Sequence, residues 1–240
     1  MMAVQFLPSG DRGLTVQFGF DIDRALSRQI MALRAAVDDA DIAGVIETVP
    51  TYRSLLVHYD PIQIRQAELI ARLEPLLEGL DGDEKAGATR WHLPICFEAD
   101  FAFDIDHVAE FASLSAEDVK DVMTGVEHFV YMLGFAPGMP YMGDLPEAMN
   151  IPRRSSPVQN IPQGSVLVAT GLTVMYPAVN PSGWHVVGRC PVPLFDLAKS
   201  DPVLLSPGDR VRFHAVSLAD YENVVRQIEK GVYEVEGELL

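Results

Sequence analysis

The sequence predicts two domains: a small α+β domain over residues 1–80 and a mainly β domain over residues 90–240, joined by a linker at 81–89. Within the first eighty residues the predicted order is strand, helix, strand, strand, helix. In this order the two helices can cover one face of a small antiparallel sheet. The linker (DGDEKAGAT) carries charge and glycine without apolar periodicity. From Phe129 onward, short β-rich runs alternate with proline and glycine, which is typical of a barrel or sandwich.

The elements of the first domain follow from its apolar spacing. Leu14–Gly19 is predicted to be a strand, and a helix capped by Asp21 follows it. Its apolar residues recur at spacings of three and four and so lie on one face: Ile22, Leu26, Ile30, Leu33 and Val37. Val45–Val49 and Leu55–Tyr59 are the next two predicted strands. A second helix after Pro61 is expected to bury Ile70, Leu73, Leu77 and Leu80.

The second domain begins with a predicted strand at His92–Phe97 and two short helices at Ile105–Ala112 and Ala116–Met123. Ser115 and Asp118 are spaced as in a capping box. Later predicted strands are Val130–Leu133, Val166–Ala169, Val174–Tyr176, Trp184–Val187 and Arg210–His214. A last helix from Ser217 is expected to bury Leu218, Tyr221, Val224, Val225 and Ile228.

Charge and composition exclude several classes of partner. The formal charge is −16, from 34 acidic and 18 basic residues, which disfavours a nucleic-acid partner. The longest apolar run, Phe129–Ala136, is far shorter than the roughly 20 residues that span a bilayer, so no membrane partner is expected. Cys96 and Cys190 form no CxxC and are expected to be reduced thiols, which favours a cytoplasmic location.

No common catalytic or cofactor motif is present. Residues 134–143 lack both the P-loop lysine and GxGxxG, and the chain has no HExxH, zinc spacing or GxSxG. We therefore expect no metal site and no cofactor bound by this chain alone. Asp104, Asp106 and His107 form a DxDH cluster that either binds a cation or, the favoured interpretation, is the solvated first turn of a helix.

Two clusters of glycine and proline between residues 134 and 191 are the strongest local signal. Flat aromatic faces are interleaved with them at Phe135, Tyr141, Tyr176 and Trp184, and Arg153, Arg154 and Arg189 can pair with carboxylates. One interpretation is a rigid, loop-lined pocket or partner surface for a small acidic or amide substrate. The other is a loop-rich barrel whose turns require these residues.

Several segments of the chain resemble one known family. YMLGFAPGMPYMGDLP (131–146), PRRSSP (152–157), IPQGSVLVATG (161–171), YPAVNPSGWHVVGRCPVPLFD (176–196) and SPGDRVRF (206–213) are similar, in order, to blocks of the family that contains the 5-oxoprolinase B subunit, Kip-type regulators (KipI) and allophanate hydrolase subunit 1. VPTYRSLLVHYDP (49–61) and LPICF (93–97) extend the resemblance over nearly the whole chain.

The resemblance implies a cyclophilin-like barrel in the second domain and membership of a complex that hydrolyses 5-oxoproline to glutamate with ATP. The implied partners are the C subunit of 5-oxoprolinase, with a related barrel, and its A subunit; ATP is used by the complex, and the isolated chain is expected to be inactive. On the hypothesis of an enzyme subunit, we expect the pocket for a small amide or carboxylate substrate to be lined by Phe135, Tyr141, Thr173, Tyr176, Trp184 and Arg189, with Arg189 as the candidate for a substrate carboxylate. The alternatives are an inhibitor of a sensor histidine kinase and a carboxyltransferase-like subunit that uses a urea-type substrate.

One segment departs from the family. The family usually has GGQTG where this chain has Thr170-Gly171-Leu172-Thr173-Val174, so a polar amide is replaced by Leu172. Val158 and Met123 also stand where the family has a basic residue and a histidine. Either this member acts on a different substrate, or its barrel supports a partner that carries the chemistry.

Overall fold

A computed structural model describes residues 4–80 and 88–240 of the chain. The chain divides into two compact units, Met1–Ala86 and Gly87–Leu240, and each has a hydrophobic core of its own. Most of the predicted linker, residues 81–87, lies outside the described residues. Of its last two positions, Ala88 is buried and Thr89 begins a strand.

The first unit is a four-stranded antiparallel sheet with two α-helices, and its strands lie in the order β1-β2-β4-β3. Its elements are β1 (Gln5–Pro8), β2 (Gly13–Gln17), α1 (Arg24–Asp39), β3 (Val45–Pro50), β4 (Ser54–Tyr59) and α2 (Gln66–Leu73), followed by a 3-10 turn over Glu74–Leu77. The order strand, helix, strand, strand, helix is present, preceded by β1, which the sequence did not reveal. That edge strand is almost wholly exposed, so it carries no alternating apolar pattern.

The core of this unit combines alternate residues of the central strands with one stripe of each helix. Ile30, Leu33 and Val37 of α1 are buried as predicted. The predicted N-cap is wrong, however, because the helix begins two residues later. Asp23 caps it, with Oδ1 accepting hydrogen bonds from the N–H groups of Ala25 at 2.8 Å and Leu26 at 3.1 Å.

The buried face of α2 differs from the prediction. Leu69 and Leu73 are fully buried, whereas Ile70, Leu77 and Leu80 are only partly buried against the core. The α-helix ends at Leu73, and Pro75 lies in the 3-10 turn that follows. Because proline has no N–H to continue the α-helical ladder, the tighter turn rotates the later leucines away from the predicted stripe.

The second unit contains a closed seven-stranded β-barrel. Its strands follow the order β12-β9-β10-β7-β6-β13-β5, and β5 pairs again with β12 through Cys96 and Arg189. All pairs in this ring are antiparallel except β13 with β5. The ring strands are β5 (Thr89–Cys96), β6 (His128–Leu133), β7 (Pro140–Gly143), β9 (Ser165–Ala169), β10 (Leu172–Met175), β12 (His185–Arg189) and β13 (Arg210–Val216).

Three further strands lie outside this ring. β8 (Val158–Ile161) and β11 (Asn180–Ser182) form a two-stranded sheet, and β14 (Glu236–Leu239) pairs with β5. The sequence patterns predicted neither these three strands nor β7. Each is only three or four residues long, and β7 and β11 contain the proline or glycine that was interpreted as a turn.

The helices of the second unit are α3 (Ile105–Ala112), α4 (Ala116–Gly125) and α5 (Leu218–Glu229). The capping box of α4 is confirmed: the Asp118 N–H donates to Ser115 Oγ at 3.1 Å, and the Ser115 N–H donates to Asp118 Oδ2 at 2.9 Å. Within the described residues no helix is both long and apolar enough to cross a bilayer.

The predicted buried face of α5 is wrong. No residue of this helix is fully buried; Leu218 is 41% exposed and the other four predicted residues are at best half-buried. A surface helix of this kind needs only partial cover for its apolar stripe, and here Tyr221 packs on Phe101 with ring centroids 4.8 Å apart.

Both cysteines are free thiols and both are buried. Burial raises the pKa of Cys96 and raises the pKa of Cys190 to about 12, so both thiols stay protonated at neutral pH. Neither has the low pKa of a reactive nucleophile.

Candidate functional site

Four of the six predicted site residues form one aromatic neighbourhood in the second unit. Tyr141 meets Trp184 edge to face, with ring centroids 6.1 Å apart, and Phe135 stacks on Tyr176 with centroids 6.5 Å apart. Burial raises the pKa of Tyr141, and the nearby Tyr176 raises it further. The structure therefore brings these four rings together; their role as a binding site stays a prediction.

Phe135 is the exposed member of this aromatic group. Its side chain is 70% exposed and its φ is 70°, a left-handed conformation that is rare for a bulky residue. The loop is fixed by hydrogen bonds from the Gly134 N–H to the Met139 carbonyl at 3.1 Å and from the Met139 N–H to the Ala136 carbonyl at 3.0 Å. A strained, exposed aromatic residue on a fixed loop is typical of a contact surface.

Thr173 points away from these rings. On β10 it lies opposite Met142 and Val168, both core residues, whereas the next residue, Val174, lies opposite Tyr141. Successive side chains of a strand face opposite sides of the sheet, so Thr173 faces the core. Its hydroxyl is buried and has no hydrogen-bond partner among residues 4–80 and 88–240.

Arg189 lies at the end of β12, where the barrel closes against β5. Its guanidinium carbon is 4.3 Å from the centroid of the Phe101 ring, a cation–π contact. Burial raises the pKa of Tyr221, and the charge of Arg189 acts in the opposite direction, which places Arg189 beside α5 as well. The Arg189 guanidinium thus packs on Phe101 rather than on the four predicted rings.

A cleft of about 480 Å³ lies next to the aromatic group. One wall is α3 and the other is the segment 152–158, which contains the PRRSSP motif. The lining residues are His107, Phe111, Ile151, Pro152, Arg153, Arg154, Ser155, Ser156, Val158 and His185. Its size is within the range of small-molecule sites, and it combines cationic, hydroxyl and apolar groups.

Asp104 and Arg154 fix one side of the cleft. Asp104 is 7% exposed; Oδ1 accepts a hydrogen bond from Arg154 Nη2, and Oδ2 accepts one from the Val186 N–H at 2.8 Å. The interpretation of Asp104 as a solvated first-turn carboxylate is therefore wrong, since it is buried and makes no cap hydrogen bond. Asp106 does lie exposed in the first turn of α3.

Two histidines face each other beside this ion pair. The rings of His107 and His185 have centroids 5.1 Å apart. His185 Nε2 lies 3.0 Å from the Pro152 carbonyl oxygen, so Nε2 carries the proton and donates it. Burial lowers the pKa of His185, which keeps this imidazole neutral near pH 7.

Arg153 connects the cleft to the aromatic group. It lines the cleft, and its charge lowers the pKa of Tyr141 against the larger effect of burial. A Cβ built on Gly183, next to Trp184, would lie 3.7 Å from Arg153 Nε. The cleft and the aromatic group are therefore adjacent parts of one candidate site.

The sequence did not predict the cleft as a unit, although its parts could be noticed separately. The DxDH cluster and the arginines of PRRSSP lie about fifty positions apart, and nothing local indicates that Asp104 binds Arg154. The position of His185 in the cleft could not be predicted either, because a histidine within a β-rich run does not indicate which side of the barrel it faces.

Comparisons with known proteins agree with this architecture. The family model for the carboxyltransferase domain, subdomain C and D, matches residues 4–205. The 5-oxoprolinase B subunit of Bacillus subtilis (strain 168) is 34% identical over 222 residues, which cover 88% of this chain and 92% of that protein. The urea amidolyase of Saccharomyces cerevisiae is 26% identical in an alignment of 262 positions, which covers 97% of this chain and 14% of that protein. The crystal structure of Kluyveromyces lactis urea amidolyase superposes with a TM-score of 0.83 at 21% identity, over 98% of this chain and 16% of that one, a likeness of fold.

Proposed function

Because this chain belongs to the carboxyltransferase subdomain C and D family, together with the B subunit of 5-oxoprolinase, we propose that it is one component of a heteromeric, ATP-dependent 5-oxoprolinase. The complex hydrolyses the ring amide of 5-oxoproline with water to give glutamate. The observation that carries this proposal is the 34% identity with the B. subtilis protein over 88% of this chain.

The chain acts with partners and not alone. Its relative is named as one lettered component of an enzyme, which supports the presence of others. We assign these as the C subunit, with a related cyclophilin-like barrel, and the A subunit. ATP binds elsewhere in the complex, because the sequence has no P-loop or comparable phosphate-binding motif. On this proposal, the isolated chain does not hydrolyse 5-oxoproline.

The adjoining aromatic group and cleft suit 5-oxoproline chemically. The five-membered ring of that molecule can pack on aromatic faces such as Phe135 and Tyr176. The carboxylate of 5-oxoproline needs a cationic partner. Two arginines of the second unit are candidates for this partner: Arg153, which lines the cleft, and Arg189.

A second candidate function is a carboxyltransferase-type reaction on a urea-like substrate. The specific observations that favour it are the family description and the match of urea amidolyase to 97% of this chain. The replacement of the family's polar amide by Leu172, which is 7% exposed, also favours a change of substrate.

Association tests the proposal first. The chain, with an affinity tag, is co-expressed with the two proposed partner proteins and purified through that tag. We expect all three to co-purify in fixed proportion, whereas an unrelated protein with the same tag retains neither partner. Purification of this chain free of both partners would contradict the proposal.

A further inference from the structure

The cleft presents hydrogen-bond donors that no protein group uses. Arg153 is exposed and makes no ion pair with any carboxylate of residues 4–80 and 88–240. Over the same ranges, the hydroxyls and backbone N–H groups of Ser155 and Ser156 make no hydrogen bond. These three residues are exposed and line the cleft, and together they carry a guanidinium, two hydroxyls and two N–H groups that can donate to a ligand.

The backbone that carries these donors is held on both sides of Arg153. On one side, the Pro152 carbonyl accepts from His185 Nε2 at 3.0 Å. On the other, the Arg154 N–H donates to the Gly183 carbonyl at 2.7 Å, and the Arg154 side chain pairs with Asp104. A site whose backbone is already fixed loses little conformational entropy when a ligand binds. Asp104 and Arg154 therefore help to hold the backbone beside Arg153 in place.

Two buried polar atoms around the cleft also lack partners. His185, which is 2% exposed, has no hydrogen-bond partner for Nδ1 among the described residues, and the same holds for Arg154 Nε. Nδ1 of the neutral His185 can accept a hydrogen bond and Arg154 Nε can donate one, so both atoms can make polar contacts with a ligand or with water.

The remaining lining accommodates an organic body. A volume of about 480 Å³ is larger than a lone carboxylate or phosphate needs. Phe111 is 48% exposed and lines the same space as Ile151 and Val158, so an apolar surface lies beside the donors.

From these observations we propose that the cleft between α3 and residues 152–158 binds a small organic oxyanion. The carboxylate or phosphoryl oxygens accept hydrogen bonds from Arg153, Ser155 and Ser156, and the body of the ligand packs on Phe111. The assignment of this cleft as a substrate site rests on the proposed function. The binding of an oxyanion by the single chain does not rest on it.

The test is isothermal titration calorimetry on the purified full chain. The probes are 5-oxoproline, inorganic phosphate and 2-pyrrolidinone, which has the ring of 5-oxoproline without the carboxylate. We expect saturable binding of at least one of the two anions and none of 2-pyrrolidinone. Saturation by 5-oxoproline alone identifies a carboxylate site, and saturation by phosphate alone identifies a phosphoryl site. Saturation by neither anion overturns the proposal.

Variants locate the binding. Arg153→Ala removes a charge-assisted contact and should weaken anion affinity about tenfold or more. Arg212→Ala removes an exposed arginine elsewhere in the same unit and should leave affinity unchanged. Wild-type affinity in Arg153→Ala would overturn the proposal even if the complex hydrolyses 5-oxoproline. Conversely, anion binding that depends on Arg153 would support the site even if the complex has no such activity.

Discussion

Asp104 and Arg154, fifty positions apart in the sequence, form an ion pair that ties the start of α3 to the PRRSSP segment. The second carboxylate oxygen of Asp104 accepts from the Val186 N–H, so the same side chain also contacts β12. Three segments that meet at the cleft therefore depend on one carboxylate.

Asp104→Ala should lower the free energy of unfolding by about 3 kcal/mol, because Arg154 and the Val186 N–H lose their partner in a largely buried setting. Asp106→Ala, in the exposed first turn of the same helix, is the matched control and should change stability by less than about 0.5 kcal/mol. Urea denaturation of the two variants measures the difference. Equal stability of the two variants would show that the ion pair contributes nothing.

Gly164 and Gly171 differ in surroundings although both have a positive φ, of 78° and 73°. A Cβ on Gly164 would overlap the carbonyl oxygen of Cys190, whereas on Gly171 it would meet only Asn150 Oδ1 at 3.9 Å. Gly171→Ala should therefore cost about 1 kcal/mol of stability from its backbone conformation alone. Gly164→Ala should cost at least about 2 kcal/mol more, since a backbone oxygen must move. Thermal unfolding of both variants tests this, and similar melting temperatures would contradict the contact.

His128 predicts an acid-sensitive contribution to stability. Burial lowers its pKa from 6.5 to about 4, and Nε2 donates to the Met123 carbonyl at 3.0 Å. Because the folded state resists protonation of His128, this residue contributes fully to stability above pH 6.5, and the contribution is lost progressively as the pH falls toward 4. A pKa shift of this size corresponds to about 3 kcal/mol of unfolding free energy.

The measurement is the free energy of unfolding of wild type and His128→Gln between about pH 8 and about pH 4.5, a range that includes the ordinary pKa of 6.5 and stays above the folded-state pKa of about 4. Glutamine does not titrate, so wild type should lose more stability than the variant across this range. Parallel pH profiles would refute the assignment.

Arg189 and Phe101 should be energetically coupled. The guanidinium lies 4.3 Å from the ring centroid, and such contacts contribute about 0.5–1 kcal/mol where they are partly exposed. The contact with Phe101 therefore predicts a small loss of stability in Arg189→Ala. A double-mutant cycle of Arg189→Ala and Phe101→Ala measures the coupling. Strict additivity would mean that the contact is not stabilising.

Trp184→Ala should be the most damaging change within the aromatic group. Trp184 is 9% exposed and packs against Tyr141, so its removal should cost about 3–5 kcal/mol. Phe135→Ala is the contrasting variant, because Phe135 is 70% exposed, and it should leave the melting temperature nearly unchanged while reducing activity of the assembled complex. Full activity of the Phe135→Ala complex would remove this residue from the site.

Sequence patterns predicted the elements that rest on periodicity or capping chemistry. The α1 stripe of Ile30, Leu33 and Val37 and the capping box of Ser115 and Asp118 could be predicted because each pattern is contained within about two turns of one helix. The short strand β8 could not be predicted, because its pairing is set by β11, which lies well beyond it in the chain, and not by its own composition.

The site was predictable only in part for the same reason. Four of the predicted aromatic residues lie together, and their role in binding stays a prediction, whereas the facing of Thr173 depends on strand register. The burial of Asp104 depends on Arg154 and Val186, neither of which is near it in sequence. Long-range contacts of this kind leave no periodic signal.

The central claim, that this chain is one component of an ATP-dependent 5-oxoprolinase, is tested most directly by measuring glutamate release from 5-oxoproline by the co-purified complex. We expect release that requires ATP and is absent from this chain alone. Release by the isolated chain, or none from the complete complex with ATP, would contradict it.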